Sequence, residues 1–348
     1  MLKFKVVSTV AVAAALAGTT VHAQDTHTLT PRYPDQFKIE QTRSSDSEQF
    51  GQSGHIVSHT RMVLTEAVQK TDTGYKAIYI AISGDANGQD DSGKPSPQSA
   101  TQKHLLGALT AVGPVQVTFD KSMTPLSIDN IDAIKPRLKE ALTGSGNAQQ
   151  DAMGARMYDA FAANLTPQSA AAFLKQMSEM GNGTVFNRPL VLHKATAFSG
   201  DPVDFMGGSL RLSGTATLDD WNEAGHSATV TTVLTPSDTE LHTFMTGFLH
   251  NMMGKVIPKG DDDARYKAII DRLIDNMHMT MSVKCETTLD LTNYAVNHTV
   301  CDNQTAMTLD MAKGMPPEVI KQKPEIASMP PMTMIQNDHT VSDSRLIP

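Results

Sequence analysis

From Met277 to Leu291 the chain reads MHMTMSVKCETTLDL, with apolar or small side chains at every odd position and polar ones at every even position. Met277, Met279, Met281, Val283, Cys285, Thr287, Leu289 and Leu291 therefore share one face. Successive side chains of an extended chain point to opposite sides, so this period of two predicts a strand with one dry and one wet face. The following stretch, YAVNHTVCDNQTAMTLDM, can fold back on it. With Cys285 opposite Cys301 the hairpin centres on Asn293, a residue that tolerates turn backbone. The same register sets Met279 against Met307 and Met277 against Leu309, and keeps the apolar positions on one face.

The chain opens with Lys3 and Lys5, then an apolar run over 6–17, then Val21-His22-Ala23 before Gln24. A basic start, a short apolar core and a small-x-small end read as a secretory signal cleaved after Ala23. The apolar run is too short to persist as a membrane helix, and no later stretch is long and apolar enough for a span in the mature chain. The expected location is periplasmic or secreted. Disulfides persist there, and directly opposed Cα atoms on antiparallel strands lie within bridging range. A structural Cys285–Cys301 disulfide is expected, since the redox motif CxxC is absent.

The formal charge of −8, with no basic patch, argues against a nucleic-acid partner. After the signal (1–23), residues 24–180 carry strands followed by helices. Phe37–Arg43, Ile56–Val68 and Tyr75–Ser83 read as strands, the last apolar on both faces and so expected to be covered on both sides. Gly84 to Lys103 (GDANGQDDSGKPSPQSATQK) reads as a mobile surface loop. Val115–Phe119 and Pro125–Ile128 follow as a hairpin. A helix over Pro167–Met180 has Thr166 as its N-cap.

Residues 181–312 form the second half: strands over Leu190–Phe198, Ser209–Leu218 and His226–Thr235, a helical hairpin, and the cysteine-bearing hairpin. Ser237 and Glu240 fit a capping box at the first of these helices, and Asp261 to Asp263 suit the start of the next. The Pro- and Met-rich residues 313–348 read as a disordered tail.

Few residues suggest chemistry. His55 and His59 stand four apart, but on a strand that spacing spans about 13 Å, too far for one ion. His242 and His250 stand two turns apart on their helix. No serine-hydrolase elbow, zinc-protease motif, P-loop or dinucleotide fingerprint occurs. No catalytic residue, metal ligand or cofactor is assigned, and the reading leans away from an enzyme. Met277, Met279 and Met281 suit a dry sheet face, an apolar ligand pocket or, because thioethers are soft ligands, copper(I).

Long antiparallel strands, a helical layer and an export signal resemble the periplasmic lipoprotein-carrier half-barrels. The likeness runs from Phe37 to Met311 as an order of elements. It implies a curved sheet that wraps helices and holds acyl chains on its concave face.

The expected fold is α+β: a large, curved, mostly antiparallel sheet with helices packed on one face, as one clam-like domain or two half-barrels. The expected function is a non-enzymatic exported protein that binds an apolar small molecule, a lipid or an envelope protein on a Met-rich face. Leu241, Phe244, Phe248, Met252, Met279 and Met281 are its candidate lining. The alternative is an envelope scaffold or assembly factor without a pocket, ahead of a hydrolase or a copper(I)-handling protein.

Overall fold

The computed structural model describes residues 26–30, 34–51, 54–144, 148–159, 165–179, 186–205, 208–256, 263–293 and 295–347. The expected signal, the expected boundary at 181 and Asp261–Asp262 lie outside them.

The first half contains β1 (Thr26–Thr28), β2 (Gln36–Gly51), β3 (Gly54–Lys70), β4 (Tyr75–Asp90), α1 (Pro97–Ala111), β5 (Val115–Phe119), β6 (Pro125–Ile128), α2 (Ile131–Thr143), α3 (Ala148–Met157) and α4 (Pro167–Glu179). The second contains β7 (Pro189–Val191), β8 (Thr196–Phe205), β9 (Gly208–Asn222), β10 (Ser227–Leu234), α5 (Asp238–Val256), α6 (Asp263–Asp275), β11 (Met277–Asp290) and β12 (Ala295–Leu309). Two short helices, α7 (Met311–Gly314) and α8 (Pro317–Gln322), then lead to β13 (Met332–Ile347).

Eleven strands form one antiparallel sheet in the order β6-β5-β4-β3-β2-β13-β12-β11-β10-β9-β8, while β1 and β7 pair separately. The sheet is curved but not closed into a barrel. Its two edges carry Pro125 and Pro202. A proline withholds a backbone donor and so discourages further strand addition at an edge.

The opening hairpin has the anticipated register: Cys285 faces Cys301, Met279 faces Met307 and Met277 faces Leu309. A bulge after Thr288 shortens the turn side. Alternating burial along β11 follows the alternation of its sequence. The helix starts also hold, with Thr166 Oγ1 accepting from Ser169 N at 3.1 Å and Ser237 N donating to Glu240 Oε2 at 2.9 Å.

Three expectations need correction. The tail is not disordered over residues 332–347, nearly half its length, because β13 pairs with β12 on one side and β2 on the other. The prolines of residues 313–347 all precede Met332, so every residue of the strand can donate to the ladder. Averaging composition over the whole tail hides this. The last strand thus joins the two halves into one sheet.

Gly84–Lys103 is not a loop either. β4 continues to Asp90, and Ser96 caps α1 by accepting from Ser99 N at 3.1 Å. Gly84, Ala86 and Gly88 are small because α1 lies directly over them. A Cβ on Gly88 would stand 2.9 Å from Ser58 Cβ and 3.0 Å from Ser99 Cβ.

The two faces of β4 are not both covered. Ala77 is buried, but Ile78, Ile80 and Ile82 are 40%, 42% and 56% exposed. The core residues of α2, α4 and α5 pack against a single face of the sheet, and Ile82 sits at a bulge that pushes it outward on the other.

Register identifies that helix-bearing face. Thr232, Cys285, Cys301, Thr340, Ser45 and Thr60 form one continuous row across β10, β11, β12, β13, β2 and β3. Phe37 shares the parity of Ser45 and joins the first-half core with Val68, Ala77, Ile131, Ile134 and Ala170. Val230 shares the parity of Thr232 and joins the second-half core with Leu218, Leu234, Leu241 and Leu289.

Candidate functional site

Between these two cores the same face crosses β2, β13 and β12, and there its side chains turn polar. Ser45, Ser47 and Gln49 on β2, Gln336, Asp338, Thr340 and Ser342 on β13, and Asn303 and Thr305 on β12 are all half-buried. A strip that stays half-buried beneath neither core remains within reach of solvent and of a ligand.

The strip is internally bonded but not fully satisfied. Asp338 accepts from Asn303 Nδ2 at 3.1 Å and from Gln336 Nε2 at 3.0 Å. Thr340 Oγ1 donates to Ser45 Oγ at 3.0 Å, and Gln41 Nε2 donates to Ser342 Oγ at 2.9 Å. Two buried side-chain oxygens, Gln49 Oε1 and Asn303 Oδ1, have no hydrogen-bond partner among the described residues. An acceptor withdrawn from water without a donor costs about 1–3 kcal/mol. A bound group that offers N–H or O–H would recover it.

One end of the strip is oily. Register aligns Met279 with Met307 and Met334, and in the next row Met277 with Leu309 and Met332. All six are half-buried. Gln49 Nε2 donates to Met334 Sδ at 3.1 Å and so sits at the junction of the polar and thioether regions.

Of the anticipated lining residues, Met279 and Met281 lie on this face, packed against the second-half core beside half-buried Phe244. Leu241 is 2% exposed within that core. The side chains of Phe248 and Met252 fall outside the described residues. Gln49, Asn303 and Asp338 carry no motif that marks them in the sequence. They come together only through pairings between the two ends of the chain.

The disulfide is present, with Cα atoms 4.1 Å apart. It anchors the hairpin beside the strip, and Cys285 is 1% exposed.

At the first-half end of the same face Glu66 stands opposite Ile39 and Tyr79. Burial pushes its carboxyl up to about 7, while the hydrogen bond from Tyr79 works in the opposite direction.

A separate groove of about 460 Å³ runs between α1 and α2, lined by Ala100, Lys103, His104, Gly107, Ala108, Ala111, Ala141 and Gly144. None of the anticipated lining residues borders it. It is polar at one wall, where His104 Nε2 lies 3.0 Å from the Leu142 carbonyl.

The opposite face carries a row in which basic and acidic side chains alternate. Lys284, Asp302, His339, Asp46 and His59 are successive register partners across five strands. His339 Nδ1 lies 2.8 Å from Asp302, and His59 Nδ1 lies 2.6 Å from Asp46. Exposed pairs of this kind contribute little stability each, but they disfavour a register slip that would set like charges together. His55 and His59 thus engage different aspartates, Asp91 and Asp46. His250 pairs with Asp271 at 2.6 Å. Among the described residues no group of three His, Cys, Asp or Glu side chains could hold a metal ion.

No family model matches the chain, and no characterised protein matches it in sequence. Among solved structures it is similar to lipovitellin, in a study of lipid–protein interactions, at 8% identity and a TM-score of 0.41. That alignment covers 90% of this chain and 26% of lipovitellin, so the chain spans about a quarter of its length. The translocator domain of the autotransporter NalP from Neisseria meningitidis aligns over 90% of both chains at 8% identity and a TM-score of 0.15. OccK7 of Pseudomonas aeruginosa aligns over 91% of this chain and all of its own at 6% identity and 0.19. Likeness at these scores carries no argument about what this chain does.

Proposed function

We propose that the chain is an exported, non-enzymatic binding protein that takes an apolar molecule with a hydrogen-bond-donating head on the strip between its two cores. The observation that carries this reading is the unpartnered Gln49 Oε1 beside two rows rich in methionine, with a second unpartnered oxygen, Asn303 Oδ1, further along the strip. The apolar part would lie on Met279, Met307 and Met334, with Met281 and Phe244 at its flank; methionine adapts to ligands of ill-defined shape. A hydroxyl or ammonium head would donate to Gln49 Oε1, and a longer head could reach along the strip to Asn303 Oδ1 beside the Asp338 carboxylate. The disulfide and the lack of any helix, among the described residues, long and apolar enough to cross a membrane are compatible with export.

Uptake of a fluorescent long-chain alcohol or amine by the purified full chain tests this. Saturable uptake that weakens about tenfold in Gln49→Leu, with a head-free alkyl probe unaffected, supports it. Uptake that is absent, or that ignores the head and the substitution alike, sinks it. A second reading, an envelope scaffold, is favoured by the exposed Ile78, Ile80 and Ile82 on the opposite face. It expects Ile80→Asp to abolish a specific protein association without altering probe uptake.

A further inference from the structure

We propose that Met279, Met307 and Met334 form a thioether site for a soft monovalent metal ion, copper(I). The three residues are directly opposed on neighbouring strands β11, β12 and β13 and share one face. Neighbouring strands lie about 4.8 Å apart, and opposed Cβ atoms about 4.5–5.5 Å. Methionine is unbranched, with three rotatable bonds, so the outer two sulfurs can lean onto the central one. All three side chains are half-buried, hence neither sealed in a core nor dispersed in water.

The composition of the rows is itself informative. A plain dry sheet face draws on β-branched and aromatic residues, which suit the pleat. Here the three aligned positions are all methionine, and Met277 and Met332 flank Leu309 in the next row. Neither row contains a carboxylate or an imidazole. Such a neutral, all-sulfur set suits copper(I) and offers nothing to calcium or magnesium, which need oxygen ligands.

Two further observations strengthen the assignment. The amide of Gln49 donates to Met334 Sδ, which orients that thioether and leaves its second lone pair for an ion. The chain has only two cysteines, and both are consumed in the Cys285–Cys301 bridge. No thiolate therefore competes for a soft metal. The site goes beyond the amphiphile reading, because it requires the sulfurs as ligands and not merely as an apolar floor.

Silver(I), a redox-inert substitute that leaves the disulfide intact, is the probe. It is titrated calorimetrically into the full chain in chloride-free buffer, against Met307→Leu, Met334→Leu and the control Met329→Leu. Leucine conserves volume and polarity class, so the fold is retained, which circular dichroism checks. One equivalent bound at least tenfold more tightly than in either row variant, with Met329→Leu unchanged, supports the site, as does anaerobic copper(I) at the same stoichiometry. Binding no tighter than to free methionine, or indifferent to both row substitutions, overturns it. The alkyl-probe assay is read on metal-free protein, so either reading can fail without the other.

Discussion

Cys285 and Cys301 face each other across β11 and β12 with Cα atoms 4.1 Å apart, midway along a hairpin whose face changes character at that point. Toward the turn lie buried Thr287, Leu289 and Thr299, and toward the open ends lie half-buried methionines. The bridge therefore holds the register of the methionine rows as well as the core.

Replacing both cysteines by alanine is expected to lower unfolding free energy by about 3 kcal/mol, the value for closing a loop of this size. The sequence separation is 16 residues. Urea unfolding of oxidised protein and of the double variant measures this. A midpoint shift worth less than about 1 kcal/mol would show that the hairpin does not depend on its bridge.

β13 is the only described strand that pairs with both β2 and β12. Thr340→Pro, in the middle of it, removes a ladder donor in a central strand, leaves its acceptor unpaired and is expected to cost about 1–3 kcal/mol. Because the two cores sit on opposite sides of this strand, the variant should also lose single-step unfolding. Two separate denaturant transitions, or cleavage by protease within β13 of the otherwise folded chain, are the expected signs. A single unshifted transition would refute the strand's joining role.

These two predictions mark where the sequence was and was not informative. The pattern of β11 is legible because one face is buried and the other wet, so burial writes itself into alternate letters. Helix starts at Thr166 and Ser237 are legible because capping is local. β13 is not, since its faces are both half-exposed and its prolines lie just upstream. GDANG also misleads: small residues beneath a helix look like those of a loop. The candidate site divides the same way. Met279 and Met281 stand out, whereas Gln49, Asn303 and Asp338 are polar residues on half-buried strands, indistinguishable from surface until pairing brings positions some 290 residues apart, such as Gln49 and Gln336, into one row.

Gly88 tests the reinterpreted loop. Gly88→Val places a side chain where Ser58 and Ser99 stand within 3.0 Å of a Cβ. Overpacking of this kind costs about 1–3 kcal/mol, and here it should lift α1 from β4. Faster amide exchange in residues 97–111, with β11 and β12 unaffected, is the expected outcome. A loop would tolerate the change with no shift in exchange.

Glu66 gives the fold a pH dependence whose sign follows from burial. Its carboxyl is raised from an ordinary 4.5 to about 7 in the folded chain. Below pH 4.5 it is protonated in both folded and unfolded states, and its full contribution to stability is present. Between 4.5 and about 7 the folded state holds the proton that the unfolded state has released, so stability falls as pH rises. Above about 7 the folded protein carries a half-buried carboxylate and the contribution is gone. The whole swing is on the order of 3 kcal/mol at most, at 1.36 kcal/mol per pKa unit. Asp90, Glu240 and Asp310 are shifted the other way, held down by hydrogen bonds from Ser92, Ser237 and Lys313 respectively, and so titrate below this window. Glu66→Gln keeps an uncharged polar side chain and abolishes the titration. Urea midpoints of both proteins at pH 5, 6, 7 and 8 isolate the effect, because every other titrating group is common to both and cancels in the difference. The two curves should draw together at pH 5 and separate by pH 8, with the glutamine variant the more stable there. Parallel curves across that range would mean that the Glu66 carboxyl reaches water, and that this end of the sheet is not closed over it.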